Sequence, residues 1–238
     1  GDALAEPVVK DIAAKVAMSD TSVEIVLYKM DLKEALRKFD AGELDIVAAS
    51  EPELRKLRPD GVKAAPFAGG ALVFIVSAAN KVGGLGMADI RKIYAGEKKN
   101  WSQLGGYDFP INAYRLNNNS ALADHAFSIL FEKGKTQFKT SFPLASEAEM
   151  RNLARDNVNA LAYIGSPQLK SDSGAKILAL DGVVPDEKNI ASGAYPNSFR
   201  LVMLSKSPEK DVLFRKFIKS KKGEDLIRRH GFTPLPAE

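Results

Sequence analysis

The sequence predicts an α/β fold in which helices and strands alternate along the chain. Apolar residues recur at helical spacing in several segments, of which the stripe from Leu4 to Val16 is the first. Other segments, such as "ELDIVAAS" at 43–50, are short apolar runs that are typical of buried strands. Because the two kinds of segment follow one another repeatedly, we expect a parallel sheet that is covered by helices.

The first half of the chain contributes two helices and three strands to this prediction. After the first helix, "SVEIVLYKM" (22–30) alternates as a strand, and "DLKEALRKFDAG" (31–42) predicts a helix that Gly42 ends. The strand at 43–50 comes next, and "GGALVFIVSAAN" (69–80) is the third. This last segment is the longest apolar stretch, and it is too short to span a membrane.

The second half continues the alternation up to a helical C-terminal region. A loop with one short strand is expected at 175–196, and one long or two short helices at 209–231. A turn with Trp101 packed under two glycines is expected after the helix that ends at Gly96. The remaining predicted helices lie at 85–96, 121–130 and 146–157, and the remaining strands at 111–115, 160–165 and 198–206.

Composition excludes several classes of function. The chain of 238 residues has no cysteine, which removes disulfides, thiol nucleophiles and Cys-ligated metals. Its two histidines, His125 and His230, are expected to pack or lie on the surface, so we predict no metal site and no cofactor. No nucleophile or acid–base constellation is readable, so we predict no enzyme activity.

Charge favours a small anionic ligand over a nucleic acid. The net charge of +4 is mild, and a mild positive balance favours small anions as ligands. The most basic stretch, 206–230, alternates its charges with apolar residues, which is typical of a solvated helix face. We therefore expect no binding to nucleic acid.

Three loops follow predicted strands or open helices, where ligands bind in open α/β sheets. These loops are the start of the chain, Ser50 after its strand, and the segment from Asn117 to Ala121. In the last of them, Arg115 and three asparagines precede a helix that Asn119 or Ser120 caps. Such a segment has unusually many hydrogen-bond donors at one strand end.

Four segments in this order resemble the phosphate-binding, periplasmic solute-binding proteins of ABC importers. They are "IRKIYAGEKKNWSQLGG" (90–106), "NALAYIG" (159–165), "LDGVVPDEKNIASGAYPNSFRLVML" (180–204) and "GEDLIRRHGFTPL" (223–235). The resemblance runs from about residue 1 to 235. It implies a protein that is periplasmic or otherwise extracytoplasmic, whose leader lies outside this chain.

The resemblance also implies a two-lobed Venus-flytrap fold of the type II periplasmic binding proteins. Lobe one would comprise residues 1–72 and 200–238, and lobe two residues 76–196. Two crossing hinge strands, at about 71–77 and 198–204, would join them. The implied function is capture of an oxyanion in the interlobe cleft, without catalysis, by a monomer that delivers it to an ABC transporter permease.

The ligand-binding residues implied by the resemblance agree with the physical needs of a dehydrated anion, which requires short, fixed donors. One half-site would comprise Arg115, the amides of Asn119, Ser120 and Ala121, and the Ser120 hydroxyl. The facing lobe would offer the amides of Ala3 and Leu4 and the hydroxyl and amide of Ser50.

Departures from the family pattern leave a second hypothesis open. The family's Ser-Gly-Thr at the helix start is here Ser120-Ala121-Leu122, and Glu51 follows Ser50. The Glu51 carboxylate either accepts a hydrogen bond from a protonated phosphate or repels an anion. The alternative function is therefore a domain of the same fold that binds phosphate weakly or not at all, and acts as a sensory or protein-interaction module or binds another ligand.

Overall fold

The computed structural model describes residues 4–20, 23–58, 63–117, 120–131, 141–166, 174–206 and 208–235. The chain forms two compact units: unit 1 comprises Gly1–Gly70 and Phe199–Glu238, and unit 2 comprises Ala71–Ser198. Helices and strands alternate in both units, which confirms the predicted α/β class. Among the described residues, no helix combines the length and hydropathy that a membrane crossing requires.

In the helices of unit 1, the buried faces and the ends agree with the sequence pattern. Val8, Ile12 and Val16 of the first helix are buried, as the periodic stripe predicts. The second helix begins after Asp31, whose carboxylate accepts the Glu34 N–H at 2.9 Å. The elements of unit 1 are α1 (Glu6–Ser19), α2 (Leu32–Asp40), β1 (Ile46–Ser50), α3 (Glu51–Leu57), the first half of β2 (Ala65–Ser77), most of β9 (Ser198–Ser205), α8 (Pro208–Ile218), α9 (Lys221–Arg229) and β10 (Thr233–Pro234).

The sheet of unit 1 is antiparallel in its described pairs, so the prediction of a parallel sheet is wrong here. Strand β1 runs antiparallel to β9, with Ser50 opposite Leu201, and β10 runs antiparallel to β2. The strand beside β1 comes from about 150 residues further along the chain, so no helical crossover from β1 fixes its direction. Helices α1, α8 and α9 cover one face, and α2 and α3 cover the other.

The strand predicted at 22–30 is also wrong, because the described residues 23–31 form neither helix nor strand. Val26 and Tyr28 are each 58% exposed, and Leu27 between them is 50% exposed. A strand requires a ladder partner, and this segment pairs with no described strand. The apolar pattern indicates a propensity for strand, but it does not indicate whether a partner strand is available.

Unit 2 contains the parallel part of the structure. The elements of unit 2, besides the second half of β2, are β3 (Gly84–Leu85), α4 (Met87–Tyr94), a 3₁₀ turn (Trp101–Leu104), β4 (Asn112–Leu116), α5 (Ala121–Leu130), β5 (Ser141–Leu144), α6 (Glu147–Asp156), β6 (Ala160–Gly165), β7 (Ala175–Ile177), β8 (Ala179–Leu180) and α7 (Glu187–Ser192). Strands β5, β4 and β6 are parallel neighbours in that order. The second half of β2 pairs antiparallel with β6 and with β7, and β3 pairs parallel with β8 in a separate small sheet.

Helix α7 and strand β5 are among the short elements of unit 2 that were not predicted. Helix α7 lies inside the segment that was predicted as a loop, and its six residues are too few to show helical periodicity. Its ends nevertheless follow the usual rules. Asp186 accepts the Asn189 N–H at 2.7 Å, and Gly193 ends the helix at φ +74°. The other element is β5, a four-residue strand that contains Pro143.

Candidate functional site

The carboxyl ends of the parallel strands in unit 2 hold two of the predicted site residues. Arg115 is half-buried in β4, one residue before the strand ends at Leu116. The next residue, Asn117, donates its N–H to the Leu144 carbonyl of β5 at 2.8 Å. Helix α5 then begins after Ser120. Arg115 and the start of α5 therefore lie at the same end of the sheet, where open parallel sheets bind ligands.

Ser120 caps helix α5, and it is one of the two residues that the sequence predicted as the cap. Its hydroxyl oxygen accepts the N–H of Ala123 at 3.2 Å. A serine hydroxyl can act both as an acceptor and as a donor of hydrogen bonds. The start of a ten-residue helix adds a favourable partial positive charge. Ala121 is the first helical residue, and Asn119 lies outside the described residues.

A tyrosine that the sequence analysis did not select supports the end of β4. The Tyr163 hydroxyl oxygen accepts the backbone N–H of Leu116 at 3.0 Å. Burial raises the pKa of Tyr163 to about 12, although the Leu116 N–H and the charge of Arg115 act in the opposite direction. The hydroxyl therefore remains protonated at neutral pH, and the residue adds no negative charge beside Arg115.

A carboxylate that the sequence analysis also missed lies at the end of β6. Glu147 is the first residue of α6, and its side chain accepts the Gly165 N–H at 2.7 Å. Burial raises the pKa of Glu147, and the Gly165 hydrogen bond and Arg151 only partly offset this effect. The sequence predicted the helix at 146–157, but nothing local revealed that Glu147 reaches a neighbouring strand.

Ser50 occupies the corresponding place in unit 1, at the carboxyl end of β1. It is only 1% exposed and stands at the N-terminus of α3, with no hydrogen bond from that helix to its side chain. The next residue, Glu51, forms an ion pair with Arg55 one turn later, with Nη2 and Oε1 2.6 Å apart. Arg55 therefore offsets the negative charge that the sequence places beside Ser50.

The start of α1 is a weaker candidate than the sequence suggested. Helix α1 begins at Glu6, and Pro7 in its first turn has no N–H to donate. The Glu6 carboxylate also stands at this helix start, where it forms an ion pair with Lys29 at 3.0 Å. Leu4 lies in the turn before the helix and packs against the core of unit 1, and Ala3 lies outside the described residues.

The two histidines lie on different helices or their ends, and Trp101 lies in the 3₁₀ turn of unit 2. His230 lies on unit 1 with its Nε2 2.9 Å from Asp11 Oδ2, and His125 lies within α5. The described residues contain no group of three or more His, Cys, Asp or Glu that could hold a metal ion. Trp101 is buried beside Gly106, as expected, and its Nε1 donates to the Asn159 carbonyl at 3.2 Å.

Comparison with known proteins identifies the family to which the chain belongs. The chain belongs to the PBP superfamily domain family, whose model matches residues 1–223. This finding confirms the predicted relationship to the binding proteins.

Individual relatives agree with the family assignment. The phosphate-binding protein PstS of Borreliella burgdorferi is 27% identical over 201 residues, which are 79% of this chain and 72% of the relative. The crystal structure of PstS from Borrelia burgdorferi superposes with a TM-score of 0.81 at 20% identity and covers 99% of this chain and 97% of its own. An ABC-type phosphate transport receptor from Vibrio cholerae gives a TM-score of 0.76 at 21% identity, with 98% and 97% covered. The chain therefore has the fold of these solved proteins, as predicted.

Proposed function

We propose that this chain is an extracytoplasmic solute-binding protein that captures a small oxyanion, phosphate by default, for an ABC importer. The observation that carries the proposal is the placement of the Arg115 guanidinium and the Ser120-capped start of α5 at one end of the parallel strands. Relatives that are named as phosphate-binding proteins support phosphate as the first ligand to test.

The chemistry of this strand end suits an oxyanion. An anion that leaves water must replace strong hydrogen bonds, and charged or helix-terminal donors replace them best. A guanidinium offers two parallel N–H groups to two oxygens, and the Ser120 hydroxyl can donate a third hydrogen. We propose that Arg115, Ser120 and the amides of Asn119 to Ala121 bind the anion in unit 2.

The proposed residues of unit 1 are Ser50, through its hydroxyl and amide, and the amides of Ala3 and Leu4. Ser50 has the stronger support because it stands at a strand end, whereas the α1 start carries Glu6 and lacks the Pro7 donor. Glu51 has two possible roles, as an acceptor for a protonated phosphate or as a repulsive charge. Its ion pair with Arg55 favours the first role by lowering the repulsion.

The proposed function is binding without catalysis. The protein would act as a monomer outside the cytoplasm and deliver its anion to an ABC transporter permease. A cofactor has no part in this proposal, because the anion is held by donors of the chain itself. The transport receptor among the structural relatives supports the permease as the partner class.

Calorimetric titration of the purified chain with phosphate, sulfate and an organic phosphate tests the proposal. Saturable binding of inorganic phosphate with a dissociation constant below about 1 μM, near −8 kcal/mol, is the expected result. No heat with any of the three anions would refute the proposed function.

One observation favours a second candidate, a domain that binds phosphate weakly and serves as a sensory or protein-interaction module. Ala121 occupies the position where the family pattern has glycine, and the Ser120 oxygen already accepts a hydrogen bond from Ala123. Glycine permits the closest approach of a ligand to the backbone, so its absence weakens the helix-start donors. Tight phosphate binding in the same titration would eliminate this candidate.

A further inference from the structure

The ladder between strands β4 and β6 opens before the two strands end. Its parallel register ends with Ala113 opposite Leu161. Three residues further along β4, the Leu116 N–H donates to a side-chain oxygen, the Tyr163 hydroxyl at 3.0 Å, where a continuing ladder would offer a β6 carbonyl. The two strand ends therefore diverge, and side chains take the place of the ladder between them.

The carboxylate of Glu147 occupies the β6 side of this opening, where it accepts the Gly165 N–H at 2.7 Å. On the far side of β6, Gly165 lies opposite Leu72 of β2, and the Leu72 N–H donates to the Asn197 carbonyl, away from β6. In an antiparallel pair of this kind both residues point their backbone groups outward, so the Gly165 N–H points towards β4. The Glu147 carboxylate therefore lies between the ends of β6 and β4.

The charges of Glu147 and Arg115 act on the same hydroxyl group. Burial is the main cause of the raised pKa of Tyr163, the Leu116 N–H and the positive charge of Arg115 lower this pKa, and the negative charge of Glu147 raises it. Arg115 directly precedes Leu116, whose N–H this hydroxyl accepts. The Glu147 carboxylate therefore lies within electrostatic range of the strand end at which the anion is proposed to bind.

The ionisable groups around this carboxylate come from α6 itself and from the strands that α6 packs against, which are β4, β5, β6 and β7. Arg151 lies one turn along α6, and β4 and β6 contribute Arg115 and Tyr163. The ring of Tyr114 in β4 packs on an aromatic ring of β5, a strand without ionisable side chains. Lys176 of β7 donates its ammonium to a backbone carbonyl after β2. Burial still raises the pKa of the carboxyl, against its backbone hydrogen bond and Arg151.

We infer that Glu147 makes anion binding by unit 2 depend on pH, because its ionised carboxylate repels an anion at this strand end and its protonated carboxyl does not. This inference rests on the proposed function and names a regulation of the same site. The affinity for a small oxyanion falls as pH rises through the raised pKa of the carboxyl. By linkage, the bound anion in turn raises the pKa of Glu147, because it binds more tightly to the protonated form.

The test compares wild type, Glu147→Gln and Glu149→Gln by calorimetric titration with inorganic phosphate, from about pH 5 to about pH 8 at one ionic strength. Glutamine cannot ionise, and its amide oxygen can still accept the Gly165 N–H. Glu149 is the matched control: it also lies in the first turn of α6 and accepts a backbone N–H, that of Ala145 at 3.0 Å, but it is exposed. The ratio of each variant's affinity to that of wild type at the same pH cancels the titration of phosphate itself.

We expect Glu147→Gln to bind phosphate about 3- to 20-fold more tightly than wild type near the upper end of this range, because a partly buried like charge is removed. The ratio should fall towards one as the pH approaches the ordinary carboxyl pKa of 4.5. Glu149→Gln should stay within about twofold of wild type at every pH, because its exposed charge is screened. A purely structural role of Glu147 would change the melting temperature of the unliganded protein but not this pH dependence.

The outcomes separate the inference from the function on which it rests. If wild type binds phosphate and the ratio for Glu147→Gln is the same at every pH, the role of Glu147 is wrong and the proposed function survives. Weaker binding by Glu147→Gln at high pH would also overturn the inference, because the carboxylate would then help to hold phosphate. An equal gain in Glu149→Gln would overturn it too, since it would reflect net charge alone. If wild type binds none of the three anions at any pH, both the proposed function and the role of Glu147 are wrong.

Discussion

The hydroxyl oxygen of Tyr163 accepts the backbone N–H of Leu116 at 3.0 Å and so ties strand β6 to the last residue of β4. Leu116 directly follows Arg115, so this bond fixes the backbone from which the guanidinium projects. Tyr163 is 1% exposed, and its ring packs edge-on against Phe74 at a centroid distance of 6.2 Å. The residue therefore links the core of unit 2 to its candidate site.

Replacing Tyr163 by Phe should keep the packing and remove the acceptor. The buried Leu116 N–H then loses its partner, and we expect a loss of about 1–3 kcal/mol in the free energy of unfolding. Urea denaturation followed by the fluorescence of Trp101, which is buried in unit 2 and is the only tryptophan, measures this loss. Tyr107→Phe is the control, because Tyr107 is 54% exposed. Equal stability of the two variants would refute the role of the Tyr163 hydrogen bond.

The raised pKa of Glu147 predicts a pH-dependent stability. Burial disfavours its carboxylate, so ionisation is easier in the unfolded chain than in the folded one. Its contribution to stability is complete below the ordinary carboxyl pKa of 4.5 and is lost as pH rises through the raised pKa of the folded state. Glu147→Gln cannot ionise, and its amide oxygen can still accept the Gly165 N–H.

We therefore expect the melting temperature of Glu147→Gln to exceed that of wild type at pH 7. The difference should shrink as the pH falls towards the ordinary carboxyl pKa. Melting curves of both proteins across this range measure it. A wild-type protein that gains stability relative to the variant as pH rises would show that the carboxylate is favoured, not penalised, in the folded state.

The packing at Gly70 predicts a local intolerance to any side chain. A Cβ at this position would lie 2.6 and 2.7 Å from ring atoms of Phe199 and 3.1 Å from Phe232. Both rings are at most 5% exposed, so they have little room to move. Gly70→Ala should cost about 1–3 kcal/mol by overpacking. Gly83→Ala, whose Cβ would meet nothing within 4 Å, is the matched control in thermal denaturation. Indistinguishable melting temperatures for the two variants would contradict this packing.

An element of the fold could be predicted where a short stretch of the sequence is enough to recognise it. Helix α1 was found because its buried stripe leaves a pattern in a dozen residues, and α2 because Gly42 follows its last turn. Strand pairing leaves no such local pattern. The antiparallel match of Ser50 with Leu201 and the absence of a ladder at 23–31 both depend on distant parts of the chain.

The residues of the candidate site also differ in whether a local sequence pattern identifies them. Ser120 was found because a helix cap is a local feature, and Arg115 because it ends a strand that leads into that cap. Glu147 was missed. It accepts a hydrogen bond from Gly165 on another strand. This relationship exists only once the sheet has formed.

Titration of phosphate into the Arg115→Ala variant tests the central claim most directly. We predict no saturable binding at phosphate concentrations that saturate wild type, with the melting temperature of the unliganded protein nearly unchanged. Arg155→Ala, which removes an exposed guanidinium paired with Asp156 in the same unit, should bind phosphate as wild type does. Retained affinity together with a large loss of stability would instead assign Arg115 to the scaffold and contradict the proposed site.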